Sequence, residues 1–186
     1  MLRLTLDTNC VIHAAQAQAY GPQVDELAEL GRGGRVGLWI TTAFKVDQER
    51  ASDDNRQRNL AWLSQRPTIG DVPGPFRLGY SSLGGPDFLL DDDNITAVDA
   101  LLCEILLRER HQAANLQEDD AALMAKWRQK VTDVHHLTGH LMTGHDAFVT
   151  SDHDDLLRHC EAIRRRTGII VVDPAEAVQM AHGQAT

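Results

Sequence analysis

Four aspartates, Asp7, Asp47, Asp133 and Asp152, stand far apart in the chain, each beside a segment patterned like a regular element. Asp7 closes the apolar run from Leu2 to Leu6, and Asp152 follows Ala147-Phe148-Val149-Thr150. Both therefore sit just past the carboxyl end of a short buried strand. Asp47 follows a second such run, Val36 to Thr41, on the charged stretch that leaves the same edge, and Thr132-Asp133 reads as the opening of a helix. In open parallel sheets, ligands gather in the crevice beyond the carboxyl ends of the strands. Taken singly, an Asp at such a position is more often a helix cap. Gathered together, the four repel: two unit charges about 4 Å apart cost roughly 4 kcal/mol at an effective dielectric near 20. A hard dication removes the conflict. Mg²⁺ takes oxygen ligands octahedrally, often one or two carboxylates with water and substrate phosphate. Such an ion activates water and stabilises charge on phosphoryl oxygens, which is the chemistry of phosphodiester cleavage.

The elements that must position these acids follow from periodicity and breakers. A helix through Val11, Ile12 and Ala15 is capped by Thr8 or Asn9 and broken at Gly21-Pro22. A second helix carries Val24, Leu27 and Leu30 and stops in the Gly31 to Gly34 segment. Helices are predicted over Phe44 to Ala51 and around Leu60, Trp62 and Leu63. Residues 66–94 hold Pro67, Pro73, Pro75 and Pro86 among many glycines and read as a long irregular loop, with an extended piece around Phe76 to Tyr80. Asp91-Asp92-Asp93 precedes an amphipathic helix marked by Ile95, Val98, Leu101, Leu102, Ile105 and Leu106, and reads as its cap rather than as a metal site. Further helices are expected over Glu118 to Val131, with Leu123, Met124 and Trp127 inward, from Thr132 to Gly144, over Asp152 to Arg166 and from Pro174. A last strand is expected at Gly168 to Val172. Short apolar strands alternating with helices predict a mostly parallel α/β sheet covered on both faces.

The length, 186 residues, favours one domain, or one domain with a large insertion. The net charge of −9 argues against nucleic-acid binding through bulk positive charge, but not against a site where bound metal supplies the charge that a phosphate meets. Arg164-Arg165-Arg166 and the set Lys126, Arg128, Lys130 read first as solvated helix faces, with phosphate contact as the alternative. Cys10, Cys103 and Cys160 form neither a disulfide framework nor a zinc pattern, which fits a reducing cytoplasm. The first aspartate comes too early for a signal peptide, and no apolar run approaches the roughly 18 residues of a membrane helix.

At the level of motifs, the chain resembles the PIN-domain nucleases. Leu4-Thr5-Leu6-Asp7-Thr8-Asn9 is similar to that family's opening strand and first acid. Trp39 to Asp47 resembles the second segment, where the family more often places Glu; Glu49 competes with Asp47 for that place. Asp133-Val134-His135-His136-Leu137-Thr138 resembles the third-acid helix, and Asp146 to Asp154 the closing strand and fourth acid. Gly168 to Pro174 resembles the final strand and its exit. The match covers roughly the first 50 and last 60 residues and leaves a central insertion over about 53–131 in a single PIN-like domain of 1–186. The resemblance implies a three-layer α/β/α sandwich, Mg²⁺ or Mn²⁺ as cofactor, and an endoribonuclease acting on RNA. It implies Asp7, Asp133 and Asp152 as metal ligands, and Asp47 as a ligand or the group that orients the attacking water. Asn9, Thr150 and Ser151 would be supporting hydrogen-bonding groups, and Asp154 an auxiliary acid. It further implies a toxin-like protein with an antitoxin-like partner; a homodimer is the expected assembly, and the lack of a long apolar run argues against membrane contact.

The competing readings are a non-catalytic RNA- or protein-binding module on the same fold, motivated by the net acidity and the insertion, and a phosphatase with a strand-end Asp. The latter wants a second Asp two residues on, where this chain has Asn9. His136 and His140, four apart on one helix, could suggest zinc, but no Glu lies between them as catalytic zinc motifs require. The imidazoles are expected to pack in the core or line the pocket.

Overall fold

The computed structural model describes residues 1–77, 81, 87, 89, 91–107 and 121–183, without the side chains of residues 121–124 and 126. Five parallel strands form one sheet: β1 (Leu2–Leu6), β2 (Val36–Thr41), β3 (Ile69–Val72), β4 (Ala147–Val149) and β5 (Val171–Val172), in the order β3-β2-β1-β4-β5. The helices are α1 (Thr8–Ala15), α2 (Gly21–Arg32), α3 (Ala43–Arg50), α4 (Asp53–Ser64), α5 (Asp93–Leu106), α6 (Ala121–Thr143), α7 (Cys160–Thr167) and α8 (Pro174–Gly183).

Alternation along the strands divides the interior in two. Leu2, Leu4 and Leu6 of β1, with Ala147 and Val149 of β4, pack with α1, α2, α4 and α8. Phe148, Val171 and Ile169 pack on the other side with Leu102 and Leu106 of α5, Val134 and Leu137 of α6, and Ile163 of α7. Successive strand side chains point to opposite faces, so helices cover both faces and the architecture is a three-layer α/β/α sandwich, as expected. Among the described residues, no helix is long and apolar enough to cross a membrane.

The structure corrects several elements. The two helices expected on either side of Thr132 are one, α6, so Asp133 lies inside a helix of 23 residues rather than at its start. No Gly or Pro lies at the expected break, between Trp127 and Thr138, and the Thr132 hydroxyl donates back to the Arg128 carbonyl, so it does not cap a new helix. The helix expected from Asp152 begins only at Cys160. Its first residues form turns instead, with the Leu157 amide reaching the Asp152 carbonyl and the Asp152 side chain taking the amides of Asp154 and Asp155. At the first helix, Asp7 holds the cap position expected of Thr8 or Asn9, but its side chain makes no capping bond.

The predicted irregular stretch contains a strand. Residues Ile69 to Val72 pair with Leu38 to Thr41, with Gly70 directly beside Trp39. A Cβ at Gly70 would lie 2.6 Å from Trp39 Cδ1, so the indole lies over bare backbone there. Glycine, poor for strand propensity, is thus required by a close approach that only the sheet creates. The extended piece expected around Phe76 to Tyr80 lies partly outside the described residues. The Asp91–Asp93 run caps as expected: Asp92 accepts from the amides of Asn94 and Ile95. Arg164, Arg165 and Arg166 are exposed on the last turn of α7, where cations favour the helix dipole, and Arg166 pairs with Glu104.

Candidate functional site

A cavity of about 200 Å³ opens beyond the carboxyl ends of β1, β2 and β4, lined by Asp7, Thr8, Asn9, Asp47, Thr132, Asp133 and Asp152, among others. Two other clefts, one at Ala28, Arg32 and Arg66 and one at Arg164, Val172 and Met180, contain none of these acids. Asp7, Asp47, Asp133 and Asp152 therefore do converge. Glu49, the other candidate for the second acid, is exposed and does not line the cavity.

Asp7 is buried immediately past β1. Its Oδ2 accepts from Thr150 Oγ1 at 2.7 Å and from Asn9 Nδ2 at 3.3 Å. Thr150 also accepts the Asp152 amide at 3.0 Å, so one hydroxyl links the exits of β1 and β4. Burial raises the Asp7 carboxyl above the usual range, against the lowering effects of His136 and Thr150. Cys10, buried behind it, donates to the Val149 carbonyl, and burial keeps its thiol protonated. Thr8 Oγ1 donates to Asp47 Oδ2 at 2.7 Å.

Asp133 comes from α6, which crosses the sheet edge. Burial first, then the charges of Asp7 and Asp152, push its carboxyl up to about 8, with Lys130 and His136 pulling it down. Its Oδ2 is buried and accepts no hydrogen bond, with Lys130 Nζ 3.7 Å away as a cationic neighbour, and Ser151 Oγ, next to Asp152, is likewise buried without a hydrogen bond. Buried polar atoms are normally hydrogen-bonded, so a bare carboxylate oxygen in an acidic cavity is available to a further cation. The donor set, all carboxylate and hydroxyl oxygen, suits Mg²⁺ or Mn²⁺ rather than zinc.

Three participants go beyond the acids read from the sequence, one of them, His136, among the imidazoles expected to pack in the core or line the pocket. His136 is fully buried with Nδ1 2.6 Å from Thr41 Oγ1 and Nε2 3.4 Å from Asp47 Oδ2 and 3.6 Å from Asp7 Oδ1. Burial alone would lower its pKa, but Asp47 and Asp7 reverse the sign and raise it. Asp155, not Asp154, approaches the other acids: carboxylate oxygens of Asp133, Asp152 and Asp155 lie within 4.8 Å of one another. Asp154 is exposed, and its backbone amide donates to Asp152 Oδ1. The signal for Asp155 was its three-residue spacing from Asp152, one turn on. Lys130, read as part of a solvated face, turns inward: it pairs with Asp155 and its Nζ lies 3.7 Å from Asp133 Oδ2.

The remaining histidines of α6, with His145 just after it, are structural. His140 Nδ1 and His145 Nδ1 each lie 2.9 Å from Thr5 Oγ1. His135 meets Thr42 Oγ1 at 3.2 Å and Asp87 at 3.6 Å. Burial would raise the Asp87 carboxyl, but hydrogen bonds from His135 and Thr42 outweigh it and hold it well below the usual range. His136 and His140 both pack on Phe148 but reach different partners, so they do not form a zinc pair.

Burial lowers His140 to about 3, with His145 adding to the effect, and also lowers His135 and His145. For His140 the folded pKa lies below the unfolded value near 6.5, so the unfolded chain binds the proton first. The stability it contributes is complete above pH 6.5 and is lost as pH falls toward 3. Denaturant titrations should show His140→Asn losing less stability than the wild-type chain between pH 7 and pH 4.5, by on the order of 1–2 kcal/mol. Equal losses would show that the imidazole does not control acid stability.

No family model and no curated protein matches the chain. Among solved structures, VapBC2 from Rickettsia felis, in a crystal structure with a DNA fragment from their promoter, aligns over 92% of this chain and 98% of that chain. The two are 11% identical, with a TM-score of 0.49.

Proposed function

We propose that the chain is a Mg²⁺- or Mn²⁺-dependent endoribonuclease whose reaction takes place in the cavity of Asp7, Asp47, Asp133 and Asp152. The observation that carries this reading is Asp133 Oδ2, buried without a hydrogen bond among like charges at the carboxyl edge of a parallel sheet. Asp7, Asp133 and Asp152 would hold the ion; when bound, it supplies Lewis acidity at the phosphoryl oxygens and an activated water. The chain's own contribution is positioning. Thr150 and Asn9 fix one oxygen of Asp7, leaving the other toward His136. Thr41 fixes the His136 ring from behind, and Thr8 orients Asp47 toward the same imidazole. Asp47, only partly buried, is the acid placed to accept a proton from a water at the cavity mouth. RNA as substrate, a toxin-like role with an antitoxin-like partner and a homodimer rest on the motif resemblance, and a cytoplasmic setting on the cysteine pattern.

The test is cleavage of a mixed panel of RNA and DNA oligonucleotides with Mg²⁺ or Mn²⁺, with Asp133→Asn as control. Cleavage confined to RNA, abolished by EDTA and absent in the variant, supports the reading. Activity unchanged in EDTA removes the metal, and DNA-selective cleavage removes the substrate class. Calorimetry showing no divalent-cation binding by a folded chain would favour a non-catalytic binding module.

A further inference from the structure

The acidic cavity carries a cation of its own. Lys130 lies one helical turn before Asp133 on α6, and its side chain is 13% exposed. Its ammonium nitrogen is buried, pairs with Asp155 and stands 3.7 Å from Asp133 Oδ2. The acids divide into two ends. At one, Asp7 and Asp47 face His136. At the other, oxygens of Asp133, Asp152 and Asp155 lie within 4.8 Å of one another, beside Lys130. Two-metal phosphodiester enzymes hold ions about 3.5–4 Å apart between shared carboxylates. The second end has the acids for such an ion, but a fixed ammonium already pairs with two of them. Burying a lysine is costly without such partners, and this one's position is set by the helix rather than by solvent.

We infer that Lys130 is a resident counter-ion that stands in for a second divalent cation at the Asp133–Asp152–Asp155 end, so that the cavity takes one metal ion rather than two. The inference rests on the metal-dependent reading above. In this arrangement Asp155 serves to hold Lys130 and is not itself a metal ligand in the native chain. Removing the ammonium while keeping its volume opens the second position, because Asp155 then faces the shared carboxylates of Asp133 and Asp152 with no cation on its side of them.

The test counts bound Mn²⁺ by electron paramagnetic resonance and calorimetry on the full chain, independently of activity. The wild-type chain binds one ion, Lys130→Met binds two, and Lys130→Met with Asp155→Asn returns to one. Asp155→Asn alone keeps a single ion with affinity within a few-fold of wild type. Two ions in the wild-type chain overturn the inference, as does a single ion in a folded Lys130→Met. Loss of the ion in Asp155→Asn overturns it by making Asp155 a ligand, and this variant decides the matter if Lys130→Met does not fold. No Mn²⁺ bound by the wild-type chain overturns the nuclease reading and this inference together; one ion in both wild type and Lys130→Met overturns only the inference.

Discussion

Asp7→Asn is expected to lower metal-dependent RNA cleavage by about three orders of magnitude while leaving the fold intact. The carboxylate is the charged group at the end of β1, and it lines the cavity together with Asp133 of α6 and Asp152 beyond β4. A metal's transition-state stabilisation is worth several kcal/mol, and each ~1.4 kcal/mol is tenfold in rate, so misplacing the ion by removing one ligand gives roughly 10³-fold. Asparagine keeps an oxygen that can accept from Thr150, so the link between the exits of β1 and β4 survives. It also removes a buried charge that repels Asp47 and Asp152. The metal-free variant should therefore melt at or above the wild-type temperature, whereas the rise in melting temperature on adding Mn²⁺ should vanish. Cleavage at more than about a tenth of the wild-type rate would mean that Asp7 does not hold the ion.

The second large effect lies beneath the site. Phe148→Ala should destabilise the chain by roughly 3–5 kcal/mol, the range for deleting a buried aromatic side chain. Phe148 is fully buried in the middle of β4 and points away from Ala147 and Val149 into the core shared by α5, α6 and α7. Its ring packs against both His136 and His140, with centroids 6.1 and 5.8 Å apart. It is the floor on which α6 places His136 between Asp7 and Asp47. Leu at this position should recover part of the stability but leave His136 less fixed. Urea denaturation measures the first effect. A loss below about 1 kcal/mol, typical of surface positions, would show that α6 does not depend on this contact.

The strands β1, β2 and β4 were legible because each is a short apolar run closed by an acid or a threonine. From those closures Asp7 and Asp152 could be placed at one edge. Asp133 was found for a partly mistaken reason. It was expected at a helix start, yet it reaches the cavity from within α6, because the helix axis rather than its end crosses the sheet edge. β3 was hidden by Gly70 and Asp71, which carry no strand signal until Trp39 from the neighbouring strand needs bare backbone beside it.

The pattern of apolar runs, breakers and strand-closing acids by itself determined the α/β class, the parallel sheet and the meeting of Asp7 and Asp152 at one edge, since those follow from local periodicity and chain direction. Tertiary structure alone decided what lies between the carboxylates. The places of His136, Asp155 and Lys130 were not fixed by local pattern, because a buried charge is set by the partners that surround it, and those come from β1, α3, α6 and the turns after β4 at once.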